Sequence, residues 1–188
     1  MNCPDCLERI HSRAEECPHC GMTLEQLSTR YTGIQQTVTE GVHDAAGVLN
    51  NDATNKIRNV IKRCEKQFTG VNLTVSFVAL KDQQSVASYG FWLINTGEFY
   101  KENRLQTDIE EGRGRVILII DIEGKRAGFS FGYFFDGYIR PRESFNVLSA
   151  GHASLLEGST IQGCTQILES LKNLLKKVVT RAKKGSKR

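Results

Sequence analysis

Between residues 51 and 68 the apolar side chains fall at Ile57, Val60, Ile61, Cys64 and Phe68, the spacing of a single stripe along a helix. Asn51 or Asp52 stands where a helix start is capped, and Gly70 where its end is closed. Val71, Leu73, Val75, Phe77 and Ala79 then alternate with smaller or polar residues, which predicts a half-buried strand. Residues 86–94 predict a second helix with Phe91, Trp92 and Leu93 turned inward. The run Arg115-Val116-Ile117-Leu118-Ile119-Ile120-Asp121 is apolar almost throughout, as in a central strand covered on both faces. Residues 126–133 alternate through Ala127, Phe129 and Phe131 and predict its hairpin partner, turned at Glu123-Gly124-Lys125.

Two helices follow, one over 143–156 and one carrying Ile161, Cys164, Ile167, Leu168, Leu171, Leu174, Leu175 and Val178, with Gly158 and Ser159 breaking the chain between them. The order helix, strand, helix, strand, strand, helix, helix predicts an α/β protein: a small mixed sheet with helices on both faces, an α/β/α sandwich. No internal repeat is visible. Upstream, 23–39 reads as a polar linker with a helical turn around Leu24 and Leu27, and 40–180 as the main domain.

The first 22 residues change the picture. Cys3-Pro4-Asp5-Cys6 and Cys17-Pro18-His19-Cys20-Gly21 are two C-x-x-C pairs, and together they supply the four sulfur ligands that tetrahedral Zn²⁺ takes in a closed structural site. Each proline fixes φ at the start of a tight curl, and Gly21 suits a left-handed exit from the second. The expected product is a structural zinc ribbon without catalytic function, because a closed Cys₄ site leaves no position for water. Cys64 and Cys164, on apolar helical faces, read as small buried hydrophobes.

With 39% hydrophobic and 24% charged residues, composition excludes a disordered or membrane-embedded chain. No basic and apolar leader is visible at the N-terminus, and thiolate ligands suit a reducing compartment, so a cytoplasmic location is expected. The net charge of +4 is concentrated at the C-terminus: no acidic residue follows Glu169, while eight lysines and arginines do. The basic end, with 181–188 as its tail, has two readings. It is either a favourably charged helix end that frays into solvent, or a loose contact for nucleic acid or an anionic surface.

Val42-His43-Asp44-Ala45-Ala46-Gly47-Val48-Leu49 resembles the "V-x-D-x-A-G-x-L" opening of the TPM domain family, named for a thylakoid lumen protein, a photosystem II-associated protein and a nematode channel modulator. Gly114, the strand ending at Asp121, Arg126 and Gly132-Tyr133-Phe134-Phe135-Asp136-Gly137-Tyr138 are similar to its second signature. Gly158 before a long amphipathic helix is similar to a third, with Ile161 where an aromatic is common. The resemblance covers residues 40–180. It departs from the family pattern at Phe134-Phe135-Asp136 and in the charged stretch 99–112. It implies an α/β domain in which calcium binding or an acid-phosphatase activity is met. Strand-end carboxylates would then serve: Asp121 and Asp136 as catalytic groups, and Asp44, Asp121 and Asp136 as ligands for Ca²⁺ or Mg²⁺. The alternative is that these carboxylates terminate strands and cap turns.

Other catalytic templates fail on the residues. Asp121-Ile122-Glu123-Gly124 lacks the second Asp of an aspartyl-phosphate motif, and no Arg follows Cys64 or Cys164 at phosphatase-loop spacing. Gly112-Arg113-Gly114-Arg115 precedes a strand instead of opening a helix; its arginines suit a solvated turn or an anion. His43 and His152 lack a visible nucleophile partner. The expected function is therefore a cytosolic interaction or assembly protein that docks a protein partner through its zinc ribbon. A weak metal-dependent phosphatase and a nucleic-acid- or ribosome-associated module are the alternatives.

Overall fold

The computed structural model describes residues 2–11, 14–81, 84–101, 104–105 and 113–185. Its helices are α1 (Leu24–Arg30), α2 (Asn51–Gln67), α3 (Val86–Thr96), α4 (Pro141–Leu156) and α5 (Thr160–Gly185). Its strands are β1 (Thr37–Thr39), β2 (Val42–Asp44), β3 (Asn72–Val78), β4 (Glu98–Lys101), β5 (Arg104–Leu105), β6 (Arg115–Asp121) and β7 (Arg126–Phe131). They form one mixed sheet in the order β5-β4-β1-β2-β3-β6-β7. β3 lies parallel to both β2 and β6, and β6 is antiparallel to β7.

β6 shows why two helical layers are needed. Its side chains alternate between two separate cores: Val116, Leu118 and Ile120 face one, Ile117 and Ile119 the other. All five are at most 1% exposed, each contributing about 1.5–3 kcal/mol by burial. The first core is closed by α2, α4 and α5, through the stripe Ile57, Val60, Ile61 and Cys64 and its counterparts from Cys164 to Val178. The second is closed by α1 and α3 together with the cysteine-bearing N-terminus: Cys3, Ile10, Cys17 and Met22 pack in one cluster with Leu27, Tyr31 and Trp92. The α/β/α sandwich is as expected.

Several local expectations are corrected. β3 is buried on both faces from Leu73 onward, because strands flank it and helical layers cover it on either side. Residues 23–39 do not merely link: they form α1 and β1, and bury Leu27, Tyr31 and Val38. α2 is capped by Asn50, whose side chain accepts from the N–H of Ala53, instead of by Asn51 or Asp52. Gly70 does sit at positive φ just beyond the helix end. β1, β2, β4 and β5 had no periodicity to read, being two to four residues long. The β1–β2 hairpin turns on Glu40 and Gly41, both at positive φ, as a two-residue turn with native twist requires. At the other end of the chain the basic segment enters α5 through Arg181, whose guanidinium is ion-paired with Glu143 of α4 at 2.6 Å. Residues 186–188 lie outside the described residues.

α4 and α5 meet at Gly151 and Gly163. A Cβ on Gly151 would stand 2.2 Å from the Gly163 carbonyl oxygen, a backbone atom with little freedom to yield. Gly151→Ala is therefore expected to lower unfolding free energy by about 1–3 kcal/mol, the usual range for overpacking. Urea denaturation followed by circular dichroism measures it, and an unchanged midpoint would contradict this account of the interface.

Candidate metal centre

The two cysteine segments fold as copies of one turn, offset by fourteen residues. In the first, the N–H of Leu7 donates to the Cys3 carbonyl at 3.0 Å and that of Cys3 to the Glu8 carbonyl at 2.7 Å. In the second, Gly21 donates to Cys17 at 2.8 Å and Cys17 to Met22 at 2.9 Å. Each is bracketed by an antiparallel bridge, Asn2 with Arg9 and Glu16 with Thr23. Contrary to expectation the chain thus holds an internal repeat, legible in the sequence as C-P-x-C recurring with identical spacing. The exit residues differ. Gly21 takes φ +72° freely, whereas Leu7 is held at φ +66°, a conformation costing about 1–2 kcal/mol for a residue with a Cβ, and its side chain is 72% exposed.

The turns aim their thiols at a common point. The Sγ atoms of Cys3, Cys6, Cys17 and Cys20 all lie within 4.8 Å of one another, with Cys3–Cys20 and Cys6–Cys17 each at 3.6 Å. Four sulfurs at a Zn–S distance of about 2.3 Å stand about 3.8 Å apart, whereas a disulfide needs about 2.05 Å. The arrangement thus fits a tetrahedral metal such as zinc. Cys3 and Cys17 are buried, Cys20 exposed. Desolvation works to raise the Cys17 thiol, but backbone N–H groups of His19 and Cys20 and the thiols of Cys6 and Cys20 bring it down to about 6. The Cys6 thiol receives a backbone N–H contribution through Glu8 that lowers it, yet desolvation and the other three thiols push it up to about 12. One thiolate among four therefore opposes the next. A divalent cation removes that opposition by drawing all four to the thiolate form.

The ribbon is fastened to the sandwich at both sides of its first turn. Asp5 receives both terminal nitrogens of Arg30, at 3.2 and 3.3 Å, at the end of α1. Arg9 reaches Asp136 at 2.6 Å, just beyond a short 3-10 turn (Tyr133–Phe135) that follows β7.

The structure does not bring Asp44, Asp121 and Asp136 together. Among the described residues, the cysteines are the only group of three or more His, Cys, Asp or Glu side chains with ligand atoms gathered at metal-binding distance. Asp44 closes the loop after β2 by accepting from the N–H groups of Val48 and Leu49 at 3.1 and 2.8 Å. Asp121, fully buried, accepts from Leu80 N–H at 3.2 Å and from Arg126 Nε and a terminal nitrogen at 3.0 and 2.6 Å. Gly124 makes room for that pair, since a Cβ there would stand 2.3 Å from the Asp121 oxygen. Asp136 is taken by Arg9, and positive charge around it outweighs the effect of partial burial and lowers its carboxyl. Of the three, Asp44 caps its own loop, whereas Asp121 and Asp136 are held by arginines. Arg115 is no anion clamp in a solvated turn: it is buried at the start of β6, its guanidinium 3.6 Å from the Phe99 ring centroid.

His43 has partners that its sequence neighbourhood concealed. Parallel pairing of β2 with β3 sets it against Ser76. Its Nε2 donates to the Gln35 carbonyl at 2.5 Å, which leaves the single Nδ1 lone pair to accept from one of two hydroxyls, Ser76 at 2.8 Å or Tyr89 at 3.2 Å, themselves 3.0 Å apart. The three side chains are sealed in the second core at no more than 1% exposure, so no substrate reaches the Ser76 hydroxyl. Desolvation depresses the imidazole. Trp92 is core, stacked near Tyr31 and Tyr89, and burial pushes the thiols of Cys64 and Cys164 up to about 11 and about 12.

Fold and site together define an α/β/α sandwich carrying on one face a four-cysteine cluster at metal-ligand distance. The sequence matches no family model and no curated protein. The fold is similar to two solution NMR structures. The N-terminal domain of the cg2496 protein of Corynebacterium glutamicum aligns over 71% of this chain and 78% of its own, at 15% identity and a TM-score of 0.51. The N-terminal domain of a protein from P. gingivalis aligns over 82% of this chain and 88% of its own, at 15% identity and a TM-score of 0.54. At such identities the likeness shows the fold alone. Among the described residues no helix is long and apolar enough to cross a membrane.

Two outcomes check these assignments. Asp121→Asn should cost at least about 2 kcal/mol, less than the ~3–5 kcal/mol of a fully buried pair because Arg126 is half exposed, and should leave metal content unchanged. Loss of a divalent ion in that variant, with stability preserved, would instead restore Asp121 as a ligand. His43, with its folded pKa below the unfolded value near 6.5, favours folding most where it is neutral. Stability should therefore fall as pH drops below about 6.5 and level off beneath the folded value, with a shallower decline in His43→Gln measured by urea titration at each pH.

Proposed function

We propose that this chain is a cytosolic protein-interaction module in which one structural Zn²⁺, held by Cys3, Cys6, Cys17 and Cys20, completes a TPM-like sandwich and presents a rigid surface to a protein partner. The observation that carries the reading is the convergence of four thiols from two superimposable turns, two of them buried against α1 and α3. Zinc is the metal favoured by four thiolates in a closed tetrahedron, and such a site supports structure without offering a reacting position. The TPM resemblance fits the same role. Asp44 caps the loop of the opening signature, and buried Asp121 with half-exposed Arg126 forms the ion pair of the second, so both signatures serve the scaffold.

Elemental analysis of protein purified without added metal should return about one zinc per chain, released by acid as the thiolates protonate. Cys20→Ser, at the exposed ligand, should lose the zinc and lower the melting temperature while the α2–α4–α5 face stays folded. Cysteines found joined as disulfides, or an iron chromophore, would overturn the zinc assignment. For the interaction reading, the chain extracted from its own cells should elute well above its 21.1 kDa mass. Elution as a monomer, together with metal-dependent hydrolysis of a chromogenic phosphate ester, would replace that reading with the enzyme.

A further inference from the structure

Among the described residues β7 is the last strand of the sheet, and no described strand lies beside its outer edge. The N–H of Gly132 donates to the Arg115 carbonyl, which makes that pair a hydrogen-bonded one. In the antiparallel register that follows, Gly128 and Ser130 turn their backbone groups toward β6, whereas Ala127, Phe129 and Phe131 turn theirs outward. No proline, lysine or bulge within Arg126–Phe131 protects this edge, as exposed edges ordinarily require.

The edge floors a groove of about 510 Å³. Phe91 of α3 and the first zinc turn, through Leu7, form one wall; Phe145 and Leu148 of α4 form the other. Two of these side chains have no folding reason to be there. Phe145 is 70% exposed on its helix, and Leu7 is 72% exposed in the left-handed conformation that its counterpart Gly21 meets without strain. An apolar side chain left mostly in water at a strained backbone position, on the wall of an apolar groove, marks a contact surface.

The geometry points to strand addition: β7 accepts an extended peptide segment of a partner protein, with apolar residues at alternate positions and an acidic flank. Outward N–H and C=O groups of Ala127, Phe129 and Phe131 supply the main-chain ladder, and Leu7 and Phe145 grip the alternate side chains. The acidic flank follows from charge. Arg140 and Arg142 stand exposed beside the lining residues Ile139 and Pro141, while the nearby carboxylates are already taken, Asp136 by Arg9 and Glu143 by Arg181. The same charges disfavour a second copy, since two-fold pairing through β7 would carry Lys125 of each chain toward Arg140 and Arg142 of the other. This surface deepens the interaction reading and rests on it.

The test is a selection of displayed random peptides, about twelve residues long, against the intact zinc-loaded protein, followed by anisotropy measurements on the synthetic consensus. Enriched peptides should alternate apolar and polar residues and carry Asp or Glu at one end, and amide exchange should slow at Ala127, Phe129 and Phe131. Leu7→Gly should keep its zinc and hold or raise its melting temperature, since it relieves the left-handed φ, yet weaken binding at least about fivefold, an outcome that a merely structural leucine does not produce. Phe129→Pro removes an outward N–H without touching the β6 ladder, so it should weaken binding more than Phe129→Ala, and Arg142→Glu should weaken it and flatten its salt dependence. Selection no better than on an unrelated zinc protein, affinity indifferent to both Leu7→Gly and Phe129→Pro, or a concentration-dependent dimer broken by Phe129→Pro would each overturn the proposal. A large cellular complex that survives both substitutions would sink this groove alone and leave the interaction reading standing. A monomer in cell extract would remove that reading itself.

Discussion

Every layer of this molecule answers to one constraint: its central strands are apolar on both faces. A strand such as β6 cannot leave either row of side chains in water, so the sheet must be covered twice. On one side three helices of 16 to 26 residues do this amply. On the other, among the described residues, α1 and α3 supply 7 and 11 residues. The cysteine ribbon makes up the difference, contributing Cys3, Ile10, Cys17 and Met22 to a core that also holds Tyr31, Tyr89 and Trp92.

That placement gives the cysteine cluster a structural reason. Some twenty residues bury too little apolar surface to hold two tight turns in register, and an ion across the four thiols would replace the missing core. The ribbon is then best understood as a piece of the sandwich's second layer. Ion pairs from Asp5 to Arg30 and from Arg9 to Asp136 tether it, but both lie partly in water and add at most about 1 kcal/mol each. Burial of Cys3 and Cys17 carries the attachment.

The carboxylates that resemble a catalytic or calcium-binding set are each engaged within the scaffold. Asp44 and Asp121 both sit at strand ends, where functional groups gather in open sheets. Asp121 nevertheless spends its acceptors on Leu80 and Arg126, and Asp44 spends its own on the loop that leads into α2. Leu7 shows the converse: nothing in its sequence context signals a role, and only its φ angle and exposure single it out.

The sequence alone determined the long elements and the four-cysteine cluster, because both are encoded locally. Helical stripes in α2 and α5, the apolar run of β6 and the paired C-x-x-C spacing each express a geometry that neighbouring residues impose on themselves. Tertiary structure alone decided the short strands β1, β2, β4 and β5, the pairing of His43 with Ser76 and Tyr89, and the dispersal of the three aspartates. Strands of two to four residues carry no period, and contacts between residues far apart in the chain depend on sheet order and register, which no local pattern specifies.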